Sequence, residues 1–280
     1  MIRTEQSKAG ARWRRGAAVA AVVVLMLLSA GCNKLRARDQ LNKGVQSYKN
    51  ARYEEAIEHF KNAVALDPGL INARLYLATA YAQQYIPGAD TPDNNKFAQQ
   101  AIDEYKRVLQ ADSRNITGVK SIAYLYFNMK KFDDAKSYYK KVFELDPNDP
   151  EPYYSVAVMD WTQSYQPRME ERAKLGLKPT DLLKDKKVCE LLKTKNADVV
   201  KDGIDMLDKA LKLRPDYDDA MAYMNLMFRE KADLECSDPD TQMADLKTAD
   251  DWVDKTMATK KMKMEKQSQQ PGGITMDQPK

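Results

Sequence analysis

The sequence predicts an all-α fold: an α-solenoid of about five helix pairs with insertions, preceded by a signal peptide and followed by a disordered tail. Three observations carry that prediction. The segments "YEEAIEHFKNAVALDP" (Tyr53–Pro68), "FAQQAIDEYKRVLQADS" (Phe97–Ser113), "FDDAKSYYKKVFELDP" (Phe132–Pro147) and "VKDGIDMLDKALKLRP" (Val200–Pro215) share one pattern of apolar and small residues. Apolar residues recur at helical spacing, as Val119, Ile122, Ala123 and Tyr126 do in the stretch before the third segment. Proline closes three of the four segments, where a helix cannot continue and the next pair starts.

The leader, residues 1–31, comes first. Arg3, Lys8, Arg12, Arg14 and Arg15 stand there against Glu5 alone, and Ala17 to Leu28 then runs without a charge. A basic stretch followed by a short apolar one reads as a signal peptide, since a spanning helix needs about 18 residues or more. Small residues Ser29, Ala30 and Gly31 follow, as a peptidase subsite requires. The leader holds the whole formal charge of +4; the remaining residues balance at 40 basic against 40 acidic. The high isoelectric point therefore reports the leader, and no basic stripe interleaved with aromatics remains to bind nucleic acid.

Leu27-Leu28-Ser29-Ala30-Gly31-Cys32 resembles the lipobox of bacterial lipoproteins, with Ser29 where that family usually has a bulky aliphatic residue. The resemblance implies that residues 1–31 are cleaved and that Cys32 carries diacylglycerol on its sulfur. Residues 32–36 would then be the lipidated cysteine and a short linker. Each buried CH₂ contributes about 0.8 kcal/mol, so two or three acyl chains hold a protein to a membrane stably. An uncleaved anchor, or cleavage that leaves Cys32 a thiol, are the other readings. By analogy with enterobacterial sorting, Asn33 rather than aspartate favours the periplasmic face of the outer membrane over the inner membrane.

The body follows over residues 37–264. Gly44, Ala78, Ala123 and Ala157 recur at steps of 34, 45 and 34. Ala56, Ala101 and Ala135 recur at steps of 45 and 34, with Gly203 a further 68 on. Gly44, Tyr53, Ala56, Phe60, Ala63 and Pro68, with Ala123, Tyr126, Phe132, Ala135, Tyr139 and Pro147, fall on one known pattern. The chain thus resembles the tetratricopeptide repeat (TPR) family, whose units are helix–turn–helix pairs of 34 residues. Small residues in such units stand where two helices cross closely, and rings fill the space beside them. The expected repeats are 37–70, 71–115, 116–149, 150–217 and 218–264.

Two repeats are longer than the rest. The second carries about eleven extra residues around "YIPGADTPDNN" (Tyr85–Asn95), read as a loop from its Gly, Pro, Asn and Asp. The fourth has one unit's worth in excess over 165–199, without the small-residue and aromatic registers, and a helical insertion is favoured there over a degenerate repeat. The last pair, "AMAYMNLMFREKADL" and "LKTADDWVDKTMATKKMK", is expected to turn Ala249, Val253 and Thr256 inward. Its polar outer face suits the capping role of a terminal repeat. Met257, Met262 and Met264 beside lysines read as a frayed capping helix rather than a membrane-seeking end. Residues 265–280 lack apolar periodicity and read as disordered.

Residues for chemistry are few. His59 is the one histidine and lies on the polar side of its helix, and no Walker loop, G-x-S-x-G or Cys-x-x-Cys is present. Asp238-Pro239-Asp240 lacks further ligands at calcium-loop spacing and reads as a helix start. The expectation is no enzyme, no cofactor and no metal. Cys189 and Cys236 lie between first and second helices of consecutive repeats, on one edge of the array; a disulfide and two free thiols both fit.

The remaining surface is the groove that first helices line in solenoids of this kind. Leu41, Val45 and Tyr48, then Lys120, Tyr124, Phe127 and Asn128, then Tyr154, Val158 and Trp161 are the candidates. Aromatics with polar handles suit recognition of protein or peptide segments, because they bury large area at low rotamer cost. Packing between neighbouring repeats is the other role open to each ring. The resemblance implies a non-catalytic interaction scaffold in the cell envelope, and a peptidoglycan or glycan binder using the aromatic groove is the alternative.

Overall fold

A computed structural model of the chain describes residues 32–178, 181–236 and 238–269. The signal-peptide reading of 1–31 and the 270–280 part of the tail reading lie outside the described residues. Among the described residues there are ten helices and no strand: α1 (32–49), α2 (Tyr53–Leu66), α3 (Ile71–Gln84), α4 (Pro92–Ala111), α5 (Ile116–Asn128), α6 (Phe132–Leu145), α7 (Pro150–Lys174), α8 (Lys186–Leu213), α9 (Asp218–Ala232) and α10 (Pro239–Gln269). They divide into two compact units, with the break inside α6 between Tyr138 and Tyr139.

The first unit is built on close helix crossings. Gly44 of α1 faces the ring of Phe60 of α2, and a Cβ on Gly44 would sit 2.5 Å from that ring. Ala56, Ala63, Ala78, Ala101, Ala123 and Ala135 are all fully buried. Phe60, Ile102, Tyr105 and Ile122 fill the space between those small residues, and burying such a side chain stabilises by roughly 1.5–3 kcal/mol.

The turn from first to second helix is made twice in the same way. Ala51 and Lys130, 79 residues apart, both take left-handed φ, at 58° and 57°. Arg52 N–H donates to Ser47 C=O at 2.9 Å, and Lys131 N–H donates to Tyr126 C=O at 2.9 Å. That bond, five residues back, satisfies an orphan carbonyl at the helix end.

The second repeat's extra residues divide between loop and helix. α3 ends at Gln84 and α4 starts at Pro92, so the loop is 85–91 and Pro92–Asn95 form the first turn of α4. Proline suits that position because its missing N–H had no intrahelical partner, and Thr91 Oγ1 accepts from Asn94 N–H at 3.3 Å.

In the second unit, residues 165–199 form the last turns of α7, the connection, and the first turns of α8. They lengthen one helix pair. Asp149 caps α7 through Glu151 N–H, and Asp185 caps α8 through Val188 N–H, each at 3.0 Å. Asp238 starts α10 by accepting from Thr241 N–H at 3.0 Å and Thr241 Oγ1 at 2.7 Å, which holds its carboxyl below the usual range.

Two expectations for the last helix need correction. Ala249 and Thr256 are buried, but Val253 is 38% exposed, and Trp252 takes the half-buried place beside them. α10 also runs to Gln269, past the expected boundary at 264, since Lys-Met-Glu-Lys favours helix and the first breaker is Pro271. Among the described residues no helix is long and apolar enough to cross a membrane.

Gly44→Ala should lower stability by about 1–3 kcal/mol, because the new methyl must displace Phe60. Ala51→Gly and Lys130→Gly should each raise it by about 0.5–1 kcal/mol, since glycine takes left-handed φ without steric cost. Urea denaturation followed by far-UV circular dichroism measures all three. Destabilisation by both glycine variants would remove the left-handed turn from this description.

Candidate functional site

The first helices present the candidate residues, and each unit arranges them differently. In the first unit Leu41, Val45 and Tyr48 of α1 are half-buried. Tyr48 meets Tyr53 edge-on at 5.3 Å, and burial pushes its phenol up. Lys120, Phe127 and Asn128 of α5 are half-buried as well, whereas Tyr124 is 57% exposed.

Tyr124 and Lys120 line a cleft of about 390 Å³ with Gln83 of α3, Tyr105 of α4, and Pro87 from the 85–91 loop. The loop is held in place as a wall. Buried Asn94 accepts from Ile86 N–H at 2.7 Å and donates to the carbonyls of Ile86 at 2.8 Å and Ala89 at 2.6 Å. Tyr85 Oη donates across to the carbonyl of Asn128 at 3.2 Å, tying the loop to the end of α5. On the loop's other side lies a cleft of about 610 Å³ edged by Asp90, Lys96, Lys130 and Lys131.

In the second unit the aromatic residues form a chain. Tyr217 lies 5.0 Å from Tyr154, Tyr154 5.5 Å from Tyr223, Tyr223 5.5 Å from Trp161, and Trp161 4.7 Å from Tyr165, centroid to centroid. Each such pair contributes about 0.5–1.5 kcal/mol beyond its buried area. Burial and the neighbouring Tyr223 push the Tyr154 phenol up to about 12. Tyr217 is raised too, by burial and by donating to Glu151 Oε2 at 2.6 Å. Tyr154 is thus a packing residue between α7 and α9, with Val158 half-buried and Tyr165 at the open end of the chain.

Behind α7 lies a buried ion cluster. Arg168 Nε and Arg172 Nη1 both donate to Asp233 Oδ2 at 2.7 Å, and Arg168 Nη1 donates to Glu230 Oε1 at 3.2 Å. Arg172 Nη2 also donates to the carbonyls of Lys178 and Asp181, at 2.5 and 2.6 Å. Burial pushes the Glu230 carboxyl up to about 7, and the Asp233 carboxylate adds to this; Arg168 opposes both without overcoming them. Beside the cluster Cys189 and Cys236 are joined as a disulfide, with Cα atoms 5.4 Å apart, so α8 is tied to the α9–α10 connection.

Cys32 is exposed at the first described position of α1. His59 Nδ1 lies 2.8 Å from Gln40 Oε1 and faces no nucleophile. Among the described residues no three His, Cys, Asp or Glu side chains come together in a way that holds a metal.

Sequence reading missed several of these residues. Tyr165 was within reach, standing four positions after Trp161 on the same helical face. Tyr217 and Tyr223 needed α9 packed beside α7. Nothing local marked Arg168 and Arg172 as buried, because their carboxylate partners lie 61 to 65 residues away.

The sequence profile of the tetratricopeptide repeat family matches residues 120–149. Comparison with curated proteins returns no match. Among solved structures, a crystal structure of MamA protein superposes with a TM-score of 0.55 at 12% identity, over 82% of this chain and 94% of its own. MamA from residue 41 to its end, from Desulfovibrio magneticus RS-1, gives 0.56 at 15% identity, over 81% and 96%. A MamA RS-1 double mutant gives 0.57 at 15% identity over the same shares. The chain therefore carries a tetratricopeptide repeat within an all-α array of helix pairs whose fold these structures share.

Glu230 gives a pH signature. Its folded pKa is raised, so its contribution is present below the unfolded value near 4.5 and is lost as pH rises through about 7. Glu230→Gln should match wild type near pH 5 and exceed its stability near pH 8, by on the order of 1–3 kcal/mol. Thermal denaturation at the two pH values reads the difference; a variant less stable at both would mean that the ionised pair with Arg168 dominates.

Proposed function

We propose that this chain is a non-catalytic interaction scaffold, tethered by lipid on Cys32 at the periplasmic face of a bacterial outer membrane, that binds extended segments of partner proteins along its first helices. One observation carries the binding reading: Tyr124 stands exposed at the rim of a cleft whose far wall, the 85–91 loop, is fixed by Asn94. A soluble helix that needs Tyr124 only for packing would bury it. The ring instead offers a flat apolar face and a hydroxyl, beside Lys120, to a side chain entering the cleft. Helix-pair repeats of this family are generally interaction scaffolds without catalysis, which supports the scaffold reading.

The tether rests on the leader's charge pattern and on Cys32 following Ser29-Ala30-Gly31. α1 begins directly beyond it, with Cys32 exposed, so the first unit would stand close to the bilayer. Trp161 and Tyr165, in contact at the open end of the second unit's aromatic chain, are the residues that a glycan would stack on.

Tyr124→Ala should leave helicity intact and weaken in-cell crosslinking to the partner about tenfold or more, as loss of a buried aromatic anchor does. Trp161→Ala should weaken it less. Unchanged capture by Tyr124→Ala would move the site away from α5, and retention of the chain by peptidoglycan, lost in Trp161→Ala, would favour the glycan reading. Intact-mass measurement of chain extracted from membranes should show an acylated Cys32 as the first residue. An unmodified thiol there, or an unprocessed leader, would remove the tether.

A further inference from the structure

We propose that α10 is a two-fold pairing surface for a second copy of this chain. One face of α10 packs on α9 through Gln242, Asp245, Ala249, Thr256 and Thr259, all buried. About a quarter-turn round the helix lies a second stripe, at Met243, Leu246, Asp250, Val253, Met257, Lys260 and Met264. Its steps alternate between three and four, the 3.5-residue period of a helix seam that faces another helix. Met243 is 60%, Met257 64% and Met264 70% exposed, whereas Leu246 is half-buried and Val253 is 38% exposed, so the three methionines are the open apolar members of this seam among the described residues.

Charge identifies the occupant. The first half of α10, residues 239–254, holds five aspartates and one lysine; the second half, 255–269, holds five lysines and one glutamate. A helix of opposite polarity at its two ends is complementary to a copy of itself laid antiparallel. With the two-fold axis beside Lys255, Leu246 meets Met264 of the partner subunit, Val253 meets Met257 of the partner subunit, and Asp250 meets Lys260 of the partner subunit. One register therefore places apolar against apolar and acid against base in these pairs, with Met243 at the end of the seam opposite Gln267 of the partner subunit. A parallel pair would set Asp250 against its own copy and Lys260 against its own copy, which is repulsive. Neighbouring antiparallel registers place Asp250 against Val253 or beyond the last methionine.

Asp250 already accepts from Arg229 Nη2 at 2.6 Å yet stays 71% exposed, which leaves it room for the second cation. The same axis brings Asp254 beside its own copy at the solvent-facing rim. This like-charge pair limits the affinity, and it gives the register a specific mark. The interface is isologous, as closed two-fold pairs require.

Sedimentation velocity of the full chain carrying Cys32→Ser, so that no acyl group contributes, should show a monomer–dimer equilibrium across a concentration series. Lys260→Asp leaves the Arg229 contact untouched and should weaken the dimer about tenfold or more, by setting acid against acid. Adding Asp250→Lys to Lys260→Asp should restore it, and Asp254→Asn should tighten it severalfold. Circular dichroism shows that each variant keeps its helices. A chain that is monomeric at every concentration, or a dimer indifferent to Lys260→Asp, would overturn the proposal. So would a monomeric chain that co-sediments with phosphatidylglycerol vesicles through Met257, since that face would then belong to a bilayer.

Discussion

Two helices can pair closely only where one of them lacks bulk, and that constraint organises each unit. Gly44 leaves room for the Phe60 ring, and fully buried alanines do the same at the other crossings. Packing of this density leaves little freedom in register: a shift of one residue would drive a ring against backbone. The left-handed turns at Ala51 and Lys130 hold the second helix of a pair at the angle the crossing needs. In α5 the core is supplied by Val119, Ile122, Ala123, Leu125 and Tyr126, which leaves the edge at Tyr124 out of that packing. Tyr124 is free to face solvent for that reason.

How much of this was legible follows from the range of the interactions. The crossings and the helix ends were legible, because small residues, rings and prolines recur at fixed steps and each acts within some 34 residues. The loop wall was half legible: glycine, proline and aspartate marked 85–91, but Pro92 opens a helix as readily as it ends one. Val253 was misplaced because Val253 and Ala249, four residues apart, suggest a common face. The buried arc runs instead through Gln242, Asp245, Ala249, Thr256 and Thr259. A polar-looking stripe can be the inward one when its residues are small or find partners, as Thr256 does with the Trp252 carbonyl. Of the candidate groove, Tyr124 lies open while Tyr154 is enclosed by Tyr217 and Tyr223, and no pattern within α5 or α7 alone separates those two fates.

The extra length of α7 and α8 brings its own problem and its own remedy. Two long helices reach beyond the pair expected from the repeat, and α7 carries Arg168 and Arg172 into a buried setting. Isolated charges there would cost several kcal/mol each. Asp233 and Glu230 answer them from the end of α9, and the carbonyls of Lys178 and Asp181 accept from Arg172 Nη2. The Cys189–Cys236 bridge ties the same corner covalently. An apolar patch of equal size would hold the helices at least as strongly. What the arginines add is orientation, since a guanidinium fork accepts carboxylates from few directions.

Anchoring and self-pairing, taken together, change what a weak interface can do. A chain held at a membrane surface meets its copies at a far higher effective concentration than the same chain in bulk solution. A seam interrupted by Asp250 and Lys260, with Asp254 facing its own copy at the rim, gives up affinity that an all-apolar stripe would supply. In return those charges reject parallel and shifted alignments, which a purely apolar stripe accepts almost equally. Confinement by a lipid on Cys32 would then make up the lost affinity, and the seam would need only to select geometry. The proposed tether at Cys32 would precede α1 and the proposed seam lies on α10, so neither would draw on the first-helix face where Tyr124 is exposed.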